Sequence, residues 1–94
     1  MTNKDIAGKI KLLADLMELH GENAFKVKNY ANSYLNIRKY PKNLTESTEI
    51  EIAAFPGIGK SVAAKITELI QTGKIDELDL WLGKTPEGVV EMLK

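Results

Sequence analysis

The sequence has no cysteine and a single histidine, His20. Without thiols there is no disulfide, no thiolate metal site and no thiol nucleophile, and one imidazole cannot build a metal cage by itself. Aromatic residues make up only 6% of the chain, and no stretch approaches the roughly 18 consecutive apolar residues that a membrane span requires. The opening "MTNKDIAGKI" lacks the basic-then-apolar order of a secretory signal, so a cytoplasmic protein with no membrane partner is expected. Net charge is also missing. Thirteen basic and thirteen acidic side chains cancel, which by itself argues weakly against nucleic-acid binding.

What is present is a chain of 94 residues, 44% apolar and 28% charged, suited to one small globular domain with a thin core. The distribution of charge says more than its sum. Lys26, Lys28, Arg38, Lys39 and Lys42 lie between Ala24 and Lys42 with no acidic residue among them, whereas Asp76, Glu77, Asp79, Glu87 and Glu91 load the C-terminal part. A polyanion has a positive side to meet.

Apolar spacing points to helices throughout. Asn3 is placed to cap a helix with Ile6, Ile10, Leu13 and Leu16 or Met17 on one face, ended by Gly21. Asn23 caps a second, carrying Phe25, Val27, Tyr30, Ala31, Tyr34, Leu35 and Ile37 and closed by Pro41, with most of the basic cluster on its polar face. In "STEIEIAAF", Ser47 reads as the cap and Ile50 as an early apolar anchor of a short helix that Pro56 stops. Val62, Ala63, Ile66, Leu69 and Ile70 mark a stripe on a helix from Ser61 to Thr72, ended by a left-handed Gly73. Ile75, Leu78 and Trp81 or Leu82, then Pro86 ahead of Val89, Met92 and Leu93, predict two more short helices. "EIEIA" alternates too briefly to make a strand. The fold expected is all-α, a bundle of about five or six short helices.

The stretch "FPGIGKSVAAKI" joins two of these helices by a turn with two glycines. Pro56 stops the first helix, Gly57 and Gly59 admit backbone angles or close approaches that a Cβ forbids, and Ile58 points inward. The amides around Gly57, Gly59 and Ser61 then sit unpaired at a helix N-terminus, where the dipole is positive and a phosphate oxygen fits. Backbone contacts of this kind hold DNA without reading its sequence. A plain helix–helix turn needs one glycine; a second glycine, the apolar residue between them and Lys60 directly after favour phosphate binding. No strand precedes the turn, which excludes a Walker loop and a dinucleotide fingerprint.

These residues carry a family resemblance. "AAFPGIGKSVAAKITELIQTGKI" resembles the helix-hairpin-helix of X-family DNA polymerases, "ENAFKVKNYANSYLNIRKYP" resembles the basic second helix of the same N-terminal domain, and "TPEGVVEMLK" resembles the segment that leads, in bacterial members, toward a second hairpin. The resemblance implies one DNA-binding domain over residues 1–94: a basic helical part at 1–42, the hairpin at 47–73 and acidic helices at 75–94. It implies a monomer that grips gapped or 5′-phosphorylated DNA in gap-filling, base-excision repair. An excised domain of a longer polymerase is expected, with the acidic triad and its Mg²⁺ outside this chain.

By the same resemblance, Lys26 and Tyr30 match phosphate-pocket residues, and Phe25 stands where the family has a histidine that stacks on a base. Lys28, Gly57, Gly59, Lys60 and Ser61 complete the DNA-binding set, with Ser61 a departure from a phosphate-binding lysine. The carbonyls of Ala53, Phe55 and Ile58 match a monovalent cation site for Na⁺ or K⁺; no cofactor is required. Lys65 matches the Schiff-base lysine of a 5′-deoxyribose-phosphate lyase. A free ammonium, with a pKa of about 10.4, is no nucleophile at neutral pH and needs neighbours such as Lys26 and Lys60 to depress it.

The plainer readings are a solvent-facing Lys65 paired with Glu68, basic side chains that merely solvate a helix, half-buried Tyr30 and Tyr34, a core-anchoring Trp81 and a last-turn His20 without catalytic meaning. The rival function is a protein-interaction module with a purely structural hairpin and an acidic docking end.

Overall fold

The computed structural model describes residues 1–93, which form six α-helices and one 3-10 turn: α1 (Asn3–Leu19), α2 (Ala24–Lys39), the turn Leu44–Glu46, α3 (Glu49–Ala54), α4 (Gly59–Thr72), α5 (Asp76–Gly83) and α6 (Glu87–Leu93). The all-α expectation is met. At 17 and 16 residues, however, α1 and α2 are not short. None of the described helices is long and apolar enough to cross a membrane.

Helix α1 is the spine of the fold. Its Ile6, Ile10, Leu13, Leu16 and Met17 are fully buried, and it packs on α2, α4 and α5. The cap at its start is Thr2 rather than Asn3: Thr2 Oγ1 accepts from the Asp5 amide at 3.1 Å, and Asp5 Oδ2 accepts in return from the Thr2 amide at 3.0 Å. Asn3 is used elsewhere. Its amide donates to the Lys42 carbonyl at 2.6 Å, and its Oδ1 accepts from the Leu44 amide at 2.9 Å, clasping the connection that follows α2. Gly21, at φ 77°, turns the chain out of α1, and Asn23 Oδ1 accepts from the Phe25 and Lys26 amides to start α2.

The cap of α3 is likewise one residue on from the expected Ser47. Thr48 makes a reciprocal box with Glu51, which frees the Ser47 hydroxyl to accept from Tyr40 Oη at 2.9 Å. Tyr40 also meets Phe55 edge to face, with ring centroids 5.2 Å apart, so the end of α2 is pinned to both ends of α3. With the register set by Thr48, Ile52 and not Ile50 faces the core; Ile50 is 82% exposed. Leu35 and Met92, also expected on apolar faces, point to solvent for the same reason of helical phase.

The stripe on α4 is as expected, with Val62, Ala63, Ile66 and Leu69 buried and Gly73 at φ 79° closing the helix. The helix begins at Gly59, two residues ahead of Ser61. Trp81 packs against the core and stacks on His20, 5.0 Å between centroids. The Thr85 hydroxyl donates to the Trp81 carbonyl, so it accepts from His20 Nε2 at 2.7 Å. His20 thus does more than end α1: it ties that end to the far side of α5.

Candidate nucleic-acid interface

Pro56 ends α3, Gly57 and Gly59 hold φ of 88° and 77°, and Ile58 between them is fully buried. The Ile58 amide donates to the Phe55 carbonyl at 3.2 Å, which closes the turn. The two glycines serve different ends. A Cβ on Gly57 would run into the Asn36 side chain, whereas one on Gly59 would meet nothing within 4 Å. Asn36 leans on the turn from α2, its amide 3.5 Å from the Gly57 carbonyl.

Among the described residues, the amides of Gly57, Gly59, Lys60 and Ser61 have no hydrogen-bond partner. Helices α1, α2 and α3 are closed by side-chain caps, but α4 has none. Its positive end therefore opens to solvent beside an unobstructed Gly59.

A seam of side chains runs down α4 from that opening. Tyr30 is 1% exposed, a core residue rather than a half-exposed one, and its hydroxyl lies 2.8 Å from Ser61 Oγ at the start of α4. One turn on, Lys65 Nζ lies 3.2 Å from Glu77 Oε1 of α5. One turn before Tyr30 on α2, Lys26 Nζ lies 3.1 Å from Glu77 Oε2. Glu77 thus bridges two of the expected site lysines, and Trp81 Nε1 donates to it at 3.4 Å. Lys65 is neither solvent-facing nor paired with Glu68. Only 25% of its side chain is exposed, and Glu68 instead accepts from the Asp76 amide at 2.7 Å.

Charge in the seam is mutually held. Burial raises the Glu77 carboxyl's affinity for its proton, but hydrogen bonds from Lys26, Lys65 and Trp81 outweigh that and hold its pKa below the usual range. Burial likewise disfavours the Lys26 ammonium, yet Glu77 and Glu22 overcome it and raise its pKa. The neighbours of Lys65 thus include a carboxylate, not only the cations expected from sequence. No short-range pattern marks Glu77, which in the sequence is only part of an acidic block.

The remaining expected residues scatter. Phe25 projects from the first turn of α2, 86% exposed. Lys28, about 200° around the helix from Lys26, lines a surface hollow with Glu18 and Glu22. Lys60 faces α3, over a hollow shared with Glu49 and Ile50. The Ala53 carbonyl lies in the last turn of α3, and the Phe55 carbonyl, just past it, accepts from the Ile58 amide and keeps one lone pair. A set of neutral oxygens suits a weakly charged hard cation. Among the described residues, no cluster of three His, Asp or Glu side chains is placed to hold a metal ion.

Two helices joined by a glycine turn with free amides define the class. The chain belongs to the helix-hairpin-helix domain family, which it matches over residues 1–75. Over all 94 of its residues it is 33% identical to the DNA polymerase/3'-5' exonuclease PolX of Bacillus subtilis (strain 168), and it spans 16% of that protein's length. The similarity falls on an X-family polymerase, as the sequence resemblance implied. No solved structure matches the chain.

Proposed function

We propose that this chain is the DNA-backbone-gripping domain of an X-family DNA polymerase, directed at the 5′-phosphate side of gaps in base-excision repair. The observation that carries the reading is the uncapped start of α4, where four amides have no partner among the described residues, beside an unobstructed Gly59. They would hold one phosphate through backbone groups alone, and so without regard to sequence. Lys26 and the exposed Phe25 ring would meet the DNA beside the hairpin, while Lys28, on the opposite face of α2, and Lys60, turned toward α3, would add only longer-range attraction. Na⁺ or K⁺ on the carbonyls of Ala53, Phe55 and Ile58 would brace the turn, and the domain would work as a monomer in the cytoplasm. With no net charge, its affinity in isolation is weak and falls with salt.

Titration of a labelled gapped duplex with a 5′-phosphate tests this. Salt-sensitive binding that is lost in Gly59→Ala supports it. Binding that ignores salt and the substitution favours the rival module, in which the hairpin only shapes a protein-docking surface.

A lyase reading has one observation in its favour: Lys65 lies one turn below Ser61, on the seam that starts at the open amides. For it to react, Glu77 must release the ammonium and the proton must leave. The free amine then adds to the C1′ aldehyde of an abasic 5′ end and expels water. Borohydride trapping decides this, and an adduct that survives Lys65→Ala removes Lys65 from the role.

A further inference from the structure

Asparagine is a poor helix former, because its side chain competes for backbone hydrogen bonds, so one in the middle of a helix calls for a reason. Most of those in this chain have one. Asn3 clasps the connection after α2, Asn23 and Asn43 cap the segments that follow them, and Asn36 lies against the hairpin. Asn29 and Asn32 do not. Both are exposed in the middle of α2, and among the described residues their carboxamides have no hydrogen-bond partner. Phe25, Asn29, Asn32 and Asn36 fall at steps of four, three and four residues, and so along one line of the helix surface. The line is about 16 Å long, the span of roughly five stacked nucleotides. It carries no charge, starts at a ring that is 86% exposed and ends at the Gly57 carbonyl, beside the open amides.

We propose that Asn29 and Asn32 read the bases of an unpaired strand laid along this line and give the domain a preference for adenine. The inference rests on the DNA-binding reading above, and it adds selectivity to a grip that the hairpin alone makes blind. Neutral groups point to bases rather than phosphates. A phosphate is best met by a cation, whereas a carboxamide, with a donor and an acceptor side by side, complements the edge of a base. In a duplex the pairing edges are occupied; in a gap they are open, and the base faces are free to stack on Phe25. Adenine presents an adjacent donor and acceptor on both its pairing edge and its major-groove edge, N6–H with N1 or with N7, and the other bases do so on the pairing edge alone.

The test measures binding of the full chain to gapped duplexes whose single-stranded template is all adenine or all thymine, with the double variant Asn29→Ala, Asn32→Ala alongside. The variant should lose about tenfold in affinity for the adenine gap and about twofold for the thymine gap. The losses should be the same at every salt concentration, because neutral contacts release no counterions. Its melting temperature should rise, since alanine is the better helix former. Asn29→Gln with Asn32→Gln keeps both carboxamides and should keep most of the adenine preference. Equal losses on the two gaps, a flatter salt dependence or a lower melting temperature in the alanine variant overturn the proposal. If the unaltered chain binds no DNA, this inference falls together with the reading it rests on. If binding is lost in Gly59→Ala but is indifferent to both asparagine variants, this inference alone falls.

Discussion

The glycine turn and the lysine seam meet at Ser61, yet they keep their binding groups in opposite states. At the turn the donors are peptide amides that have no partner among the described residues, so none of those residues competes with a ligand for them. In the seam the donors are ammonium groups already held by Glu77 and Glu22, and a ligand must outbid a carboxylate. On the function proposed above, the first region would take any backbone phosphate that fits, and the second only an anion that displaces Glu77. Side-chain sites can be graded in this way because their counter-ions are side chains too. Backbone sites have no such adjustment and depend on conformation alone.

That dependence makes the turn the place of largest expected effect. Ile58→Ala removes a fully buried side chain that anchors the turn and should cost about 2–5 kcal/mol in urea unfolding. A loss well under 1 kcal/mol would mean that the turn is not pinned from within. Gly57→Ala adds the Asn36 collision to a positive φ and should cost about 2–3 kcal/mol. Gly59→Ala meets only the φ penalty of about 1–2 kcal/mol. Equal losses would break the distinction drawn between the two glycines.

On the side-chain region the expected effects are smaller. Tyr30→Phe removes only the hydroxyl on Ser61 and should cost about 1 kcal/mol, with the ring still filling the core. Thr48→Ala, remote from both regions, should cost a similar ~1 kcal/mol by opening the α3 cap, and it should leave DNA binding unchanged.

Acid sharpens the contrast last. Backbone and side-chain hydrogen bonds from Thr2 and Thr48 hold the Asp5 and Glu51 carboxyls below their usual 3.8 and 4.5. A depressed carboxyl stabilises the fold above its unfolded pKa and ceases to as pH falls through the folded one. Melting temperature should therefore hold from neutral pH down to about 5 and decline progressively below it. Removing the Thr48 cap should flatten that decline.

Much of this is legible in the sequence, because it is written in short-range patterns. The stripe of α4, the proline stop, the two glycines and Gly73 each act within a turn or two of their own position. The caps were misplaced by one residue because Thr2 and Asn3, or Ser47 and Thr48, are equally able to cap, and longer-range partners decide. Asn3 is drawn away by Lys42 and Leu44, and Ser47 by Tyr40. The seam was not legible. Lys26 and Glu77 are 51 positions apart, and a run of bases without nearby acids says nothing about an acid that packing delivers from another helix.

The backbone at Gly59 has a consequence for handedness. Its φ of 77° suits a mirror-image amino acid better than any natural one, and no atom lies within 4 Å of an L-configured Cβ there. A D-alanine at this position would lock the same angle by its own chirality, converting a conformation that glycine merely permits into one the residue prefers.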